Sequence, residues 1–304
     1  MLALGERPYT EGLGNTSDLT LPDDQQQLVR AAQAGGRPTV LVMIGGRPNI
    51  IRSVADKATA IIWAGLPGFG GGTALAEIIA GRTNPSGKLP FTYPLFAGHI
   101  SNYHHDNNED NLDLSDFGVG FEQRGAKYKS SMLTEYGEGL SYTTYDYASL
   151  RLSDSVLTGP AARMRATVRV TNTGSRAGKE AVLWFLTDEV GRITRPVRLL
   201  KHFEKQELTA GQTREFAFDI EPLRDLAYPN AANVAQLEDG WYTLRVGSQT
   251  ARFRYATATA ASGSNPAKPG KSTGKSTGKF NRKSANKSSG AGQNTSSPVG
   301  SAAN

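Results

Sequence analysis

The sequence predicts an α/β domain followed by an all-β sandwich and a disordered tail, and three observations carry that prediction. Residues 39–44 (TVLVMI) and 60–64 (AIIWA) are continuous apolar runs set among helical stretches, the pattern of strands buried on both faces of a parallel sheet. From about residue 148 to residue 256 the hydrophobic period switches to two, as it does in amphipathic strands of an antiparallel sandwich. From residue 257 on, Ser, Gly, Asn, Ala and Pro predominate around a KSTGKSTGK repeat. Such a composition cannot bury enough apolar surface to offset the entropy of ordering it.

Taken in order, residues 2–4 (LAL) read as a first short strand. Pro22 and Asp23 open a helix through Leu28, Val29 and Ala32, with Gly35 as its stop. Gly72 and Thr73 open another that ends at Gly81. Residues 101–135 are polar, rich in Asn and Asp and without period, and read as a long surface insertion. Beyond it, Met164, Ala166, Val168 and Val170 alternate with Arg163, Arg165, Thr167 and Arg169. Phe216, Phe218 and Ile220, then Leu244 and Val246, then Phe253 and Tyr255, repeat that alternation, with turn signals at Asn172-Thr173-Gly174 and Glu238-Asp239-Gly240. The expected organisation is an α/β domain over 1–147 with the insertion at about 101–135, a sandwich over 148–256 and a disordered basic tail over 257–304.

Composition narrows the function. The chain has no cysteine, which excludes disulfides and thiolate metal sites. No run approaches the roughly 20 apolar residues of a membrane span, and the first residues (MLALGE) carry no export signal. The net charge of +6 belongs to the tail: it holds Lys268, Lys271, Lys275, Lys279, Arg282, Lys283 and Lys287, which leaves 27 basic against 28 acidic residues elsewhere. Nucleic acid is therefore not an expected partner of the folded part. The glycine cluster at 65–72 (GLPGFGGG) sits where a phosphate cradle sits, but Pro67 breaks the GxGxxG spacing and no acidic residue follows a next strand. His104, His105, Asp106, Glu109 and Asp110 are metal-ligand types in a polar run without a rigid framework. No cofactor and no metal are expected. Trp63, Trp184 and Trp241 lie in or beside strands and read as core rather than sugar platforms.

Four segments in this order resemble glycoside hydrolase family 3: GERPYTEGLGNTSDLTLP at 5–22, GGRPN at 45–49, WAGLPGFGGGTALAEIIAGRTNPSGKLPFTYP at 63–94 and GEGLSYTTYDY at 137–147. The sandwich behind them resembles a fibronectin type III domain. The resemblance implies the C-terminal part of a retaining β-glucosidase or β-glucan exohydrolase, acting on a β-glucoside or oligosaccharide. Family relatives are mostly periplasmic or secreted. It also implies that the nucleophilic Asp lies in an N-terminal (β/α)8 barrel outside this chain, on a separate polypeptide if the enzyme is split. The first strands of the α/β sandwich are implied to be missing too, which leaves an unpaired sheet edge and uncovered apolar surface at Met1.

Glu6 and Glu11 lie in a loop after a strand, and ligands of open α/β sheets bind outside the carboxyl ends of strands. By the resemblance Glu11 is the general acid/base, while Glu6 matches no role and is expected to hold the loop. Other branches of the family place the acid/base in a different loop of the same domain. Phe69-Gly70 departs from the family's PGxEGG pattern, and no substrate-binding residue is assigned. Retaining hydrolysis needs two carboxyl groups roughly 5 to 5.5 Å apart, so the chain alone is expected to be inactive. The alternative is a non-catalytic carbohydrate-binding or envelope-associated module.

Overall fold

The computed structural model describes residues 1–94, 132–134, 136–193, 195–196 and 198–257. Nearly all of the expected insertion, and the tail after Thr257, lie outside the described residues.

Three parallel strands form the first sheet, in the order β1 (Leu2–Gly5), β2 (Val40–Ile44), β3 (Ala60–Gly65). Helices α1 (Asp23–Ala34), α2 (Arg52–Ala55) and α3 (Gly71–Ile79) connect and follow them. The central strand is buried on both faces, through Leu41, Val42 and Met43. The second apolar run is not. Ala60 and Ile61 are exposed, because β3 is a sheet edge among the described residues. β1 is the other edge. Leu4, Leu21, Val29, Leu41, Met43 and Ile51 make the core of this domain.

Asp23 and Asp24 place negative charge in the first turn of α1, where the helix dipole favours it. Leu28, read as part of that helix's apolar set, is 52% exposed, and Gln26 is buried beside Val29 instead. Burial of this amide is tolerated because it is satisfied: its Nε2 donates to the Leu21 carbonyl at 2.6 Å and its Oε1 accepts from Ser53 Oγ at 2.6 Å. Gly35 caps α1 with φ −75°, and the left-handed residue is Gly36, φ 67°, one position later than read.

A short pair, β4 (Tyr93–Pro94) with β5 (Met132–Thr134), places a strand at the end of the segment read as irregular. The sandwich follows as β6 (Tyr145–Leu152), β7 (Val156–Thr158), β8 (Met164–Asn172), β9 (Gly178–Asp188), β10 (Leu199–Leu208) and β11 (Thr213–Ile220). Minor strands β12 (Tyr228–Pro229) and β13 (Ala235–Gln236) precede β14 (Gly240–Val246) and β15 (Gln249–Ala256). A five-stranded sheet, β10-β9-β14-β15-β7, packs on a three-stranded sheet, β11-β8-β6. The predicted alternation holds: Met164, Ala166, Val168, Val170, Phe216, Phe218 and Ile220 of one sheet meet Trp184, Leu244, Val246, Phe253 and Tyr255 of the other.

A polar clasp joins the two domains at the C-terminal end of α3. That helix is apolar in sequence, yet only Gly71 of it is buried. Its last carbonyls are satisfied by the segment that leads into the sandwich and by the sandwich itself: Tyr142 Oη donates to the Ile78 carbonyl at 2.8 Å and Arg176 donates to the Gly81 carbonyl. An arginine there also suits the negative end of the helix dipole. Asn84 completes the clasp: Oδ1 accepts from Ser141 Oγ and Tyr142 N, both at 2.8 Å, and Nδ2 donates to the Ala177 carbonyl at 3.1 Å. Asn84→Ala removes three bonds at net values near 0.5–1.5 kcal/mol each, so a loss of about 1.5–4.5 kcal/mol is expected. Thermal unfolding is then expected to separate into two transitions, and a single unshifted transition contradicts the clasp.

Candidate active site

The loops that leave the carboxyl ends of β1, β2 and β3 lie side by side. Glu6 N donates to the Ile44 carbonyl at 3.2 Å and Gly45 N to the Gly65 carbonyl at 3.0 Å. Gly5 admits no side chain, because a Cβ there lies 1.6 Å from the Ile44 carbonyl oxygen.

Glu6 is committed within this rim. Its Oε1 lies 2.7 Å from Arg47 Nε, and its Oε2 accepts from Tyr9 Oη at 3.0 Å. The Arg47 guanidinium sits 4.5 Å over the Tyr9 ring and donates through Nη2 to the Gly14 carbonyl. One arginine thus ties the first loop to the second, and Glu6 holds the loop through side chains, where hydrogen bonds to backbone amides were expected. Arg47→Ala leaves a partly buried carboxylate unpaired, at an expected cost of about 1.5–3 kcal/mol. Faster chymotryptic cleavage after the exposed Tyr9 or Leu13 is the readout, and an unchanged rate contradicts the tie.

Glu11 is placed differently. It opens a single 3₁₀ turn, Glu11–Gly14, with φ 45°, one of three non-glycine residues in that region among the described residues. Its side chain is exposed and makes no hydrogen bond or ion pair with the described residues. The turn packs on Tyr9, since a Cβ at Gly14 meets the tyrosine ring at 2.1 Å. The loops after β1 and β3 carry exposed apolar side chains: Leu13 at 90%, Leu66 at 79% and Phe69 at 113%. Leu66 and Tyr9 both border Gly46.

Backbone conformation and packing account for three glycines of the cluster. Gly65 and Gly68 take φ 60° and 67°, and a Cβ at Gly71 meets the Pro67 ring at 2.4 Å. The run from His104 to Asp110 lies outside the described residues.

Residues 1–144 match the family model described as the glycosyl hydrolase family 3 C-terminal domain. The chain carries that domain. A fibronectin type III-like domain matches residues 180–250. Relatives include the periplasmic beta-glucosidase of Salmonella typhimurium, 32% identical over 238 residues, covering 78% of this chain and 31% of the relative. The lysosomal beta glucosidase of Dictyostelium discoideum is 30% identical over 260 residues, covering 82% of this chain and 30% of the relative. A crystal structure of the beta-glucosidase from Listeria innocua in complex with gluconolactone superposes with a TM-score of 0.72 at 27% identity, covering 84% of this chain and 36% of that one. The chain therefore spans about a third of the length of the relatives it matches.

Within the family 3 domain Trp63 is half-buried and packs edge-on against Phe91 at 4.8 Å. In the fibronectin-like domain Trp184 is fully buried. Trp241 is not core: it is 43% exposed on the outer face of the sheet, with the Arg252 guanidinium 4.2 Å over its ring. Its neighbours in β14, Tyr242 and Leu244, take the inward positions, and the strand's alternation turns Trp241 outward. Sequence reasoning missed Arg47 and Tyr9. The available signal was an arginine three residues past one strand end facing an acid just past another.

Proposed function

We propose that this chain supplies the general acid/base of a retaining β-glucosidase, with Glu11 as the proton donor and an Asp nucleophile on a (β/α)8 barrel outside these 304 residues. The observation that carries the reading is Glu11 itself: an exposed carboxylate without a partner among the described residues, on strained backbone outside the carboxyl ends of three parallel strands. Strained residues persist where surrounding structure holds them, and they gather at functional sites. The names of the relatives support the substrate class, and the gluconolactone in the Listeria complex supports a site for a glucose-like ring.

In the complete enzyme the nucleophile attacks the anomeric carbon while Glu11 protonates the leaving oxygen. The carboxylate left behind then takes a proton from the water that hydrolyses the glycosyl-enzyme. The exposed Leu13, Leu66 and Phe69 suit coverage by the barrel.

Alone the chain is expected not to hydrolyse an aryl β-glucoside, because one member of the carboxyl pair is missing. Mixed with a polypeptide carrying the barrel, it is expected to restore turnover. Turnover by the isolated chain, or by the barrel without it at the same rate, contradicts the proposal.

A further inference from the structure

We propose that the outer face of the five-stranded sheet binds an acidic polysaccharide, laid along β14 from the cleft between the domains to Trp241. The register of β9, β14 and β15 defines three rows on this face. Trp241 lies opposite Arg254, Thr243 between Thr187 and Arg252, and Arg245 between Phe185 and Thr250. Trp241 and Arg245 are four residues apart on one strand, so the rows span about 13 Å at roughly 3.3 Å per residue.

At one end stands the exposed indole. Glu189 holds Arg252 by bidentate bonds, Nε to Oε1 at 2.8 Å and Nη2 to Oε2 at 2.6 Å, which fixes the guanidinium on the Trp241 ring. Glu189 also accepts from Thr243 Oγ1 at 2.7 Å. Beside this group Arg254 is exposed and has no ion-pair partner among the described residues. At the other end Arg245, exposed and likewise without an ion-pair partner among the described residues, lines a cleft of about 220 Å³. The cleft floor holds Glu180, buried between Lys88 Nζ at 3.4 Å and Tyr147 Oη at 2.9 Å. Burial and then the Glu180 charge push the Tyr147 phenol well above its ordinary range, so it stays a donor.

This combination selects a ligand class. Two uncompensated arginines, one at each end, call for negative charge on the ligand. An exposed aromatic with threonine hydroxyls between the cations suits rings that carry hydroxyls, which both donate and accept. A nucleic acid presents a charge at every residue, and the carboxylates of Glu189 and Glu180 among the cations repel such a run. A glycan with carboxylates spaced among hydroxyls meets both signs. The site does not depend on Glu11 or on catalysis.

The test is calorimetric titration of the full chain with oligogalacturonate, against a neutral cello-oligosaccharide and a single-stranded DNA of equal charge. Oligogalacturonate is expected to bind more tightly than either, and less tightly as salt rises. Trp241→Ala and Arg254→Ser are each expected to weaken it tenfold or more. Arg165→Ser, on the outer face of the opposite sheet, is expected to leave it unchanged. All three positions are exposed, and an unchanged thermal transition confirms that each variant is folded. Binding that survives Trp241→Ala and Arg254→Ser comes from elsewhere, residues 258–304 included, and overturns the proposal. So does equal or tighter binding of the DNA, or no binding of oligogalacturonate.

Discussion

Replacing Glu11 with glycine is expected to stabilise the chain by about 1 kcal/mol while cutting turnover of the barrel-complemented enzyme by about 100- to 10,000-fold. The two effects have separate causes, one in the backbone and one in the side chain. A left-handed φ of 45° costs a residue with a Cβ on the order of 1–2 kcal/mol, and glycine adopts it freely. Glycine gives back part of that gain through the greater entropy of its unfolded chain. Since the carboxylate has no partner among the described residues to lose, the remainder shows as added stability. The turnover loss follows from removing the proton donor to a leaving alkoxide. Urea unfolding of the isolated chain reads the first effect, and hydrolysis of an aryl β-glucoside by the complemented chain reads the second. A variant that is destabilised, or one that keeps its turnover, contradicts this account of position 11.

The largest structural effect is expected at Trp184, where replacement by alanine should cost about 3–5 kcal/mol. This side chain is wholly buried between the two sheets of the sandwich, with Phe218 at 6.0 Å between ring centroids. Its Nε1 is buried and makes no hydrogen bond. Trp184→Phe keeps most of the ring volume and removes that orphan donor, so a distinctly smaller loss is expected than for Trp184→Ala. Equal losses for the two variants contradict a packing role. Because Arg176 binds the Gly81 carbonyl just past α3 from this side, unfolding of the sandwich is also expected to loosen α3.

The sandwich was legible because a strand that buries one face must alternate, and its side chains follow the pleat with a period of two. Met164 to Val170 and Phe216 to Ile220 do so without exception. The parallel strands were legible as apolar runs, but their coverage was not. Ile61 reads like Leu41, and only the strand order separates an edge from a centre. The same limit applies to Gln26, buried because Leu21 and Ser53 meet it, and to Trp241, turned outward by the alternation of β14. At the site, the loop that carries Glu6 and Glu11 was legible from its place after a strand. What separates the two carboxylates is tertiary: Arg47 and Tyr9 hold one, and backbone geometry presents the other.

The central claim concerns a proton at position 11. A retaining enzyme that lacks its acid/base can still form the glycosyl-enzyme from a substrate with a good leaving group, but cannot activate water to release it. A small anionic nucleophile needs no such activation. The decisive measurement is turnover of 2,4-dinitrophenyl β-glucoside by barrel-complemented Glu11→Ala, with and without sodium azide. The account predicts slow turnover that azide accelerates, with β-glucosyl azide as the product. Turnover at the unsubstituted rate without azide, or a slow rate that azide does not change, contradicts it.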